Sequence, residues 1–237
     1  MQILTWNVLH RVHAETHSEP AIERWPDEAA RVQAVAALLS NALTVEGFGV
    51  ALLQEVSGDV LAELRARLPE WSVLDHLYPR VPKKTSSVRD PREHLVVVAP
   101  PGAKLLRAQT FDTDPGKGFL MVGLPDGTAV ISTHVSWGAK GASQLALLAR
   151  VLGEARGAVC LGGDFNAEGA AISKALGAEV LLARLPPNSP CTRPKGAGGS
   201  DIDHLLCRNA SLSDVRVLEH RELSDHRPVG ATSTSSR

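Results

Sequence analysis

The sequence predicts an α/β fold built as one domain, on three observations. Short apolar runs of the kind that form buried strands recur along the chain, at Ile3 to Trp6, Val50 to Leu53 and Ala158 to Leu161. Stretches with helical spacing lie between them, clearest at Val32, Val35, Ala36, Leu39 and Leu43. The 237 residues, 43% hydrophobic and 22% charged, suit one large core, and no repeat, heptad or linker divides them. One domain is expected over residues 1–231, with 232–237 as a disordered tail.

Charge and cysteine usage exclude several classes. Twenty-five basic and 26 acidic residues give a net charge of -1, which argues against a generally polycationic nucleic-acid binder but leaves room for a locally basic cleft. Cys160, Cys191 and Cys207 are odd in number and widely spaced, without zinc-type pairing to histidine, so neither a disulfide framework nor structural zinc is supported. The start of the chain lacks a basic n-region with a long apolar stretch behind it, and nowhere do 18 apolar residues follow one another. A monomeric cytoplasmic protein without a membrane span is expected.

Taken in order, the first strand hands over to Asn7, and His10-Arg11-Val12-His13 reads as a polar loop. Pro26, Asp27 and Glu28 open a helix. The run Val50 to Leu53 ends in Gln54-Glu55, and Ser57 is an N-cap for a helix carrying Leu61, Leu64 and Leu68, closed by Pro69. Arg80, Lys83, Lys84, Arg89 and Arg92, interleaved with Thr85, Ser86 and Ser87, form a basic segment suited either to solvent or to phosphates. Leu95 to Val98, Leu105 to Ala108, Phe119 to Leu124 and Ala129 to Thr133 are further strands, with a hairpin turn at Asp126-Gly127. His134 ends the last of these, and Trp137 and Lys140 follow. Leu145, Leu148 and Leu152 mark a helix, and Glu168 to Leu176 another, stopped by Gly177. A loop rich in Pro, Gly and Ser over 186–200 leads to a strand at Asp203 and then to Ser224-Asp225-His226.

The apolar run Ala158 to Leu161 stops at Gly162-Gly163 and presents Asp164 and Asn166. Asp, Asn and Gly after a strand are also the ingredients of a turn, whereas an extended backbone would point Asp164 and Asn166 the same way. The rest of the set tips the reading toward chemistry. Asn7, Glu55, His134, Asp164, Asn166, Asp203, Asp225 and His226 each stand at the end of an apolar run or in a tight polar turn. Hard carboxylate and carboxamide oxygens suit Mg²⁺ or Mn²⁺, and the histidines can move protons and contact phosphoryl oxygens, so the set fits a metal-assisted hydrolase.

Six short motifs in this order resemble the endonuclease/exonuclease/phosphatase superfamily, which includes DNase I-like and exonuclease III-like enzymes: Thr5-Trp6-Asn7, Leu53-Gln54-Glu55-Val56, Ser132-Thr133-His134, Gly163-Asp164-Phe165-Asn166, Ile202-Asp203-His204 and Ser224-Asp225-His226. The resemblance implies a four-layer α/β sandwich, two mixed sheets face to face with helices outside. It implies Glu55 as the main metal ligand with Asn7 and Asp225, Asp164 and Asn166 placing the attacking water, His226 on the phosphate with Asp203 behind it, and His134 as a second phosphate contact. Leu9 stands where some nuclease branches have a second carboxylate, and Arg89-Asp90-Pro91-Arg92-Glu93-His94 replaces the usual approach to the middle strand. Both departures lie where substrate is recognised.

The leading expectation is therefore a Mg²⁺- or Mn²⁺-dependent nuclease or nucleotide phosphodiesterase, with His10, Arg11, Arg89, Arg92 and Trp137 as substrate contacts. A phosphatase for a small phosphoester is the alternative, and a catalytically dead binding module is disfavoured because every polar group the chemistry needs is present.

Overall fold

The apolar runs become central strands of two six-stranded sheets in a computed structural model that describes residues 1–82, 87–195 and 198–235. The first half of the chain forms β1 (Gln2–Asn7), α1 (Arg11–His17), α2 (Ala21–Arg24), α3 (Glu28–Thr44), β2 (Phe48–Ser57), α4 (Gly58–Arg67), β3 (Ser72–Leu77) and β4 (Glu93–Ala99). Then come β5 (Lys104–Phe111), β6 (Asp114–Gly123), β7 (Ala129–His134), α5 (Gly138–Glu154), β8 (Val159–Asp164), α6 (Gly169–Leu176) and β9 (Leu181–Leu182). The chain closes with β10 (Arg193–Lys195), β11 (Gly198–Ser200), β12 (Asp203–Arg208), β13 (Ala210–Val217) and β14 (Val229–Ser235).

The first sheet has the order β13-β14-β1-β2-β4-β3 and the second β5-β6-β7-β8-β12-β9. Each has one parallel pair at its centre, β1 with β2 and β7 with β8, and antiparallel neighbours outside. Alternate side chains of these strands feed different cores, because successive strand residues point to opposite faces. Leu4, Trp6, Ala51 and Leu53 pack on Val35, Leu39, Leu61 and Leu64 of α3 and α4. Ile3, Val50 and Leu52 meet Leu120, Val130, Cys160 and Leu205 between the sheets. Ile131 and Leu161 pack on Leu145, Leu148 and Ile172 of α5 and α6. Helix, sheet, sheet, helix is the four-layer sandwich expected.

Local chemistry accounts for the helix starts. Asp27 caps α3 by accepting from Ala29 N, and Ser57 caps α4 by accepting from Val60 N. The two glycines of β8 let the middle of the molecule close. A Cβ on Gly162 would lie 2.7 Å from Leu205 and 2.8 Å from Leu52 of the opposite sheet, and one on Gly163 would lie 1.9 Å from the Thr133 carbonyl oxygen. Near the site end, Gln54 Nε2 donates to Ser132 Oγ across the sheets at 3.1 Å and to Leu52 O at 3.1 Å, satisfying a carboxamide that is wholly buried.

Three expectations are corrected. His10 to His13 is the start of helix α1, not a loop, with His10 as its N-cap. The 186–200 loop contains the small β10–β11 hairpin. Strands β3, β13 and β14 were not anticipated from the sequence. Residues 232–235 are not a loose tail: they complete β14, where Gln2 pairs with Thr232 and Ser233 N donates to Met1 O at 2.7 Å. Lys83, Lys84, Thr85 and Ser86 of the basic segment lie outside the described residues. No helix among the described residues is long and apolar enough to cross a membrane.

Candidate active site

Both parallel pairs end at the same edge of the sandwich, and their last residues meet there. Asn7 ends β1, Glu55 lies near the end of β2, His134 ends β7 and Asp164 ends β8, while Asp203 opens β12 directly opposite Asp164. The loop before β14 adds Asp225 and His226. Together with Leu9, His13, His17, Glu19, Arg80, Lys117, Trp137, Asn166, Arg193 and Lys195, most of these groups line a cleft of about 600 Å³.

The two sheets end in the same local device. Asn7 Oδ1 accepts from Leu9 N at 3.0 Å, and Asp164 Oδ1 accepts from Asn166 N at 3.0 Å. Leu9 and Asn166 both take the left-handed conformation, with φ of 60° and 48°. Each strand thus stops in a turn that holds its own polar side chain, and the two side chains then join: Asn7 Nδ2 donates to Asp164 Oδ2 at 3.0 Å. Asn166 therefore does not extend alongside Asp164; its amide Nδ2 is tied to Val135 O at 2.8 Å. Glu55 is also left-handed, φ 54°, at a bulge where the pairing of β2 with β4 shifts between Leu53 and Val56. Such strained positions cluster where side chains must be re-aimed toward a site.

Around Asp164 the donors converge. His134 Nε2 lies 3.2 Å and His226 Nε2 3.8 Å from its Oδ2. Lys117 Nζ contacts His134 Nε2. Burial opposes the charge of Asp164, but His134, His226 and Lys117 hold its carboxyl far below the usual range. The same balance applies to Glu55, where burial is outweighed by His13, His134 and Lys117.

His226 donates from Nδ1 to Asp203 Oδ2 at 2.8 Å. Burial disfavours its charge, yet Asp203, Asp164 and Asp225 raise its pKa to about 10. Asp203 is itself raised, by burial above all, with His226 pulling the other way. The pair is therefore an imidazolium on a buried carboxylate. The segment is pinned from several sides: Trp6 Nε1 donates to His226 O, Ser224 Oγ donates to Asn7 O, and His226 N donates to Ser224 Oγ.

The oxygens around Glu55 suit a divalent cation. Glu55 Oε2 accepts from His10 N at 3.1 Å, which leaves Oε1 toward the cleft, 3.9 Å from His134 Nε2. With the Asn7 carboxamide and Asp164 nearby, this is a set of hard oxygens at an open edge, which fits a cation that keeps several waters. Ligand atoms of Asp164, Asp203 and His226 also lie within 4.8 Å of one another, and within that trio His226 Nδ1 is committed to Asp203. Asp225 lies beside His226, 3.9 Å from its Nε2, with its Oδ2 taken by Arg193 at 3.1 and 3.3 Å.

Of the expected substrate contacts, Trp137 is brought to the cleft, and at 58% exposure it is not a core residue. His10 and Arg11 are not free to bind substrate. The His10 ring is buried, with Nδ1 accepting from Val12 N, and Arg11 is spent on Glu15 and Trp25 O. Arg89 and Arg92 lie outside the cleft lining, and Arg92 pairs with Asp90. Cleft residues that the sequence did not single out include Lys117 and Arg193, and behind the lining the buried Glu93 holds His13 at 3.0 Å. His10, His13 and His17, spaced three and four apart, carried a readable helix signal. Lys117, between the glycines of β6, carries none.

Residues 4–226 match the sequence model of the Endonuclease/Exonuclease/phosphatase family. No curated protein matches the chain significantly. Among solved structures, D. rerio TDP2 complexed with single strand DNA product is similar at 16% identity, covering 99% of both chains with a TM-score of 0.72. An endonuclease/exonuclease/phosphatase from Bacteroides vulgatus shares 16% identity over 99% of this chain and 98% of its own, with a TM-score of 0.71. A mannosyl-6-phosphatase from Bacteroides thetaiotaomicron shares 16% over 99% of both, with a TM-score of 0.67. At these identities the structures speak for the fold, but the family match runs from β1 to His226, and the chain belongs to the Endonuclease/Exonuclease/phosphatase family.

Proposed function

We propose that this protein is a divalent-metal-dependent phosphodiesterase acting on a nucleic acid or nucleotide by in-line attack of water. The observation that carries the reading is the juxtaposition, in one cleft, of the Asp164–His134–His226 cluster with the exposed indole of Trp137. A phosphate seated among the imidazoles and Lys117 would leave an attached base within reach of a stacking surface. Glu55, with Asn7 beside it, would hold the metal ion, which when bound supplies charge stabilisation at the phosphoryl oxygens.

The chain's own groups supply the rest. Asp164, fixed by Asn7 Nδ2 and by the N–H of Asn166, would accept a hydrogen bond from the attacking water and align it. His226, kept charged by Asp203, would donate from Nε2 to a phosphoryl oxygen as negative charge grows there. His134 would do the same from the β7 side.

Hydrolysis of bis(p-nitrophenyl) phosphate and of single-stranded DNA should stop on chelation and return with Mg²⁺ or Mn²⁺; full turnover in excess chelator would refute the mechanism. His226→Ala and Asp164→Asn should each lower kcat at least ~100-fold with the fold intact. A steep fall in activity with salt would mark a polyanionic substrate, since neutralising phosphates releases counterions. A flat salt response with preference for a sugar or inositol phosphate would favour the small-phosphoester phosphatase instead.

A further inference from the structure

Across the cleft from His226, a second buried carboxylate organises cations in the way Asp203 organises His226. Glu93 opens β4, is 0% exposed, and lies one strand over from the Glu55 bulge. Its Oε2 accepts from His13 Nε2 at 3.0 Å and faces Arg80 at 3.6 Å, and both of those side chains line the cleft. Glu93 Oε1 has no hydrogen-bond partner among the described residues. A carboxylate sunk this deep is costly unless its partners are held tightly, so the arrangement fixes where His13 and Arg80 stand.

Arg80 has a place made for it. Its guanidinium lies over Gly116 of β6, where a Cβ would come within 2.1 Å of Cζ, and Asp114 at 3.7 Å anchors its other edge. His13, with Nε2 committed to Glu93, itself lines the cleft. Asp164 is held instead by Asn7, Asn166, His134 and His226. His13 and Arg80 form a separate cationic wall on the Glu55 side of the cleft.

We propose that Glu93 is a positioning residue that builds a second anion subsite from His13 and Arg80, and that this subsite takes the phosphate neighbouring the scissile one. The inference rests on the phosphodiesterase reading and narrows it: the preferred substrate carries two phosphates one nucleoside apart. A guanidinium offers a forked pair of donors suited to phosphate, and an imidazole beside it supplies a third.

The test is calorimetric binding of thymidine 3′,5′-bisphosphate and thymidine 5′-monophosphate to the full chain. The wild type should bind the bisphosphate at least ~10-fold tighter, the scale of one or two charge-assisted hydrogen bonds. Arg80→Ala and Glu93→Gln should shrink that ratio at least ~3-fold, and Arg80→Lys should restore part of it. Gly116→Ala displaces only the flexible end of Arg80 and should act like Arg80→Ala, so the outcome does not depend on whether a Glu93 variant folds. A ratio near one in the wild type, or an unchanged ratio in folded Arg80→Ala and Gly116→Ala, overturns the subsite. Hydrolysis of bis(p-nitrophenyl) phosphate separates the two readings: turnover without bisphosphate preference sinks only the subsite, and preference without turnover sinks only the proposed activity.

Discussion

The chemistry of the cleft turns on which side chains hold which others. Asp203 and Glu93 are buried carboxylates that never need to touch substrate, yet each fixes an imidazole that faces it. For His226 the consequence can be read against pH. Its pKa is raised to about 10, so a step that needs the charged ring should persist through neutral and mildly alkaline pH and fail as pH rises through that value. The same sign applies to stability: the stabilisation from this pair is complete below the ordinary histidine pKa and is lost as pH climbs toward 10. Asp203→Asn removes the main source of the shift and should move the alkaline limb of the kcat profile to lower pH while cutting the maximum rate. An unmoved limb would show that His226 does not govern it. The residues Asn7, Glu55, His134, Asp164, Asp203 and His226 were legible because each stands at the end of an apolar run or in a tight polar turn. Glu93, Lys117 and Arg193 were not, because a charge flanked by ordinary strand or loop residues looks solvated until its neighbours are known.

Among the elements, β8 carries the tightest constraint. Its run Val159 to Leu161 feeds two cores, and then Gly162 and Gly163 let it lie against the opposite sheet and against Thr133 of β7. Gly163→Ala would put a methyl group 1.9 Å from a backbone oxygen that cannot swing aside. We expect a loss of ~2 kcal/mol or more in urea unfolding, the usual scale of core overpacking, and unchanged stability would contradict the close approach. Helix α1 shows the opposite case, an element whose signal was present and misjudged. His10, His13 and His17 share a helical spacing, but polar residues after a strand read as a loop, and only the cap formed by the His10 side chain and the packing of Val12 and Ala14 make it a helix.

At the scale of the whole molecule, the two ends of the chain lie side by side in the first sheet. β14 pairs with β1 from Gln2 with Thr232 to Thr5 with Val229, and Ser233 Oγ reaches Cys160 Sγ of the second sheet at 3.1 Å. Deleting residues 232–237 should therefore lower the melting temperature measurably, by roughly 2–4 °C for each kcal/mol lost in a chain of this size. A truncated protein that melts with the full chain would mean these pairings contribute nothing. Local pattern by itself determined the α/β class, the central strands, the capped helices α3 and α4, and a set of polar residues at strand ends, because burial on both faces and capping are written in neighbouring residues. What only the tertiary structure decided is which of those ends converge. It joined Asn7 to Asp164, gave Asp225 to Arg193, turned His10 and Arg11 inward, and set His13 and Arg80 around Glu93. Asn7 and Asp164 lie 157 positions apart, His13 and Glu93 80, and Asp225 and Arg193 32, and nothing in a local window encodes a contact that exists only when the chain closes.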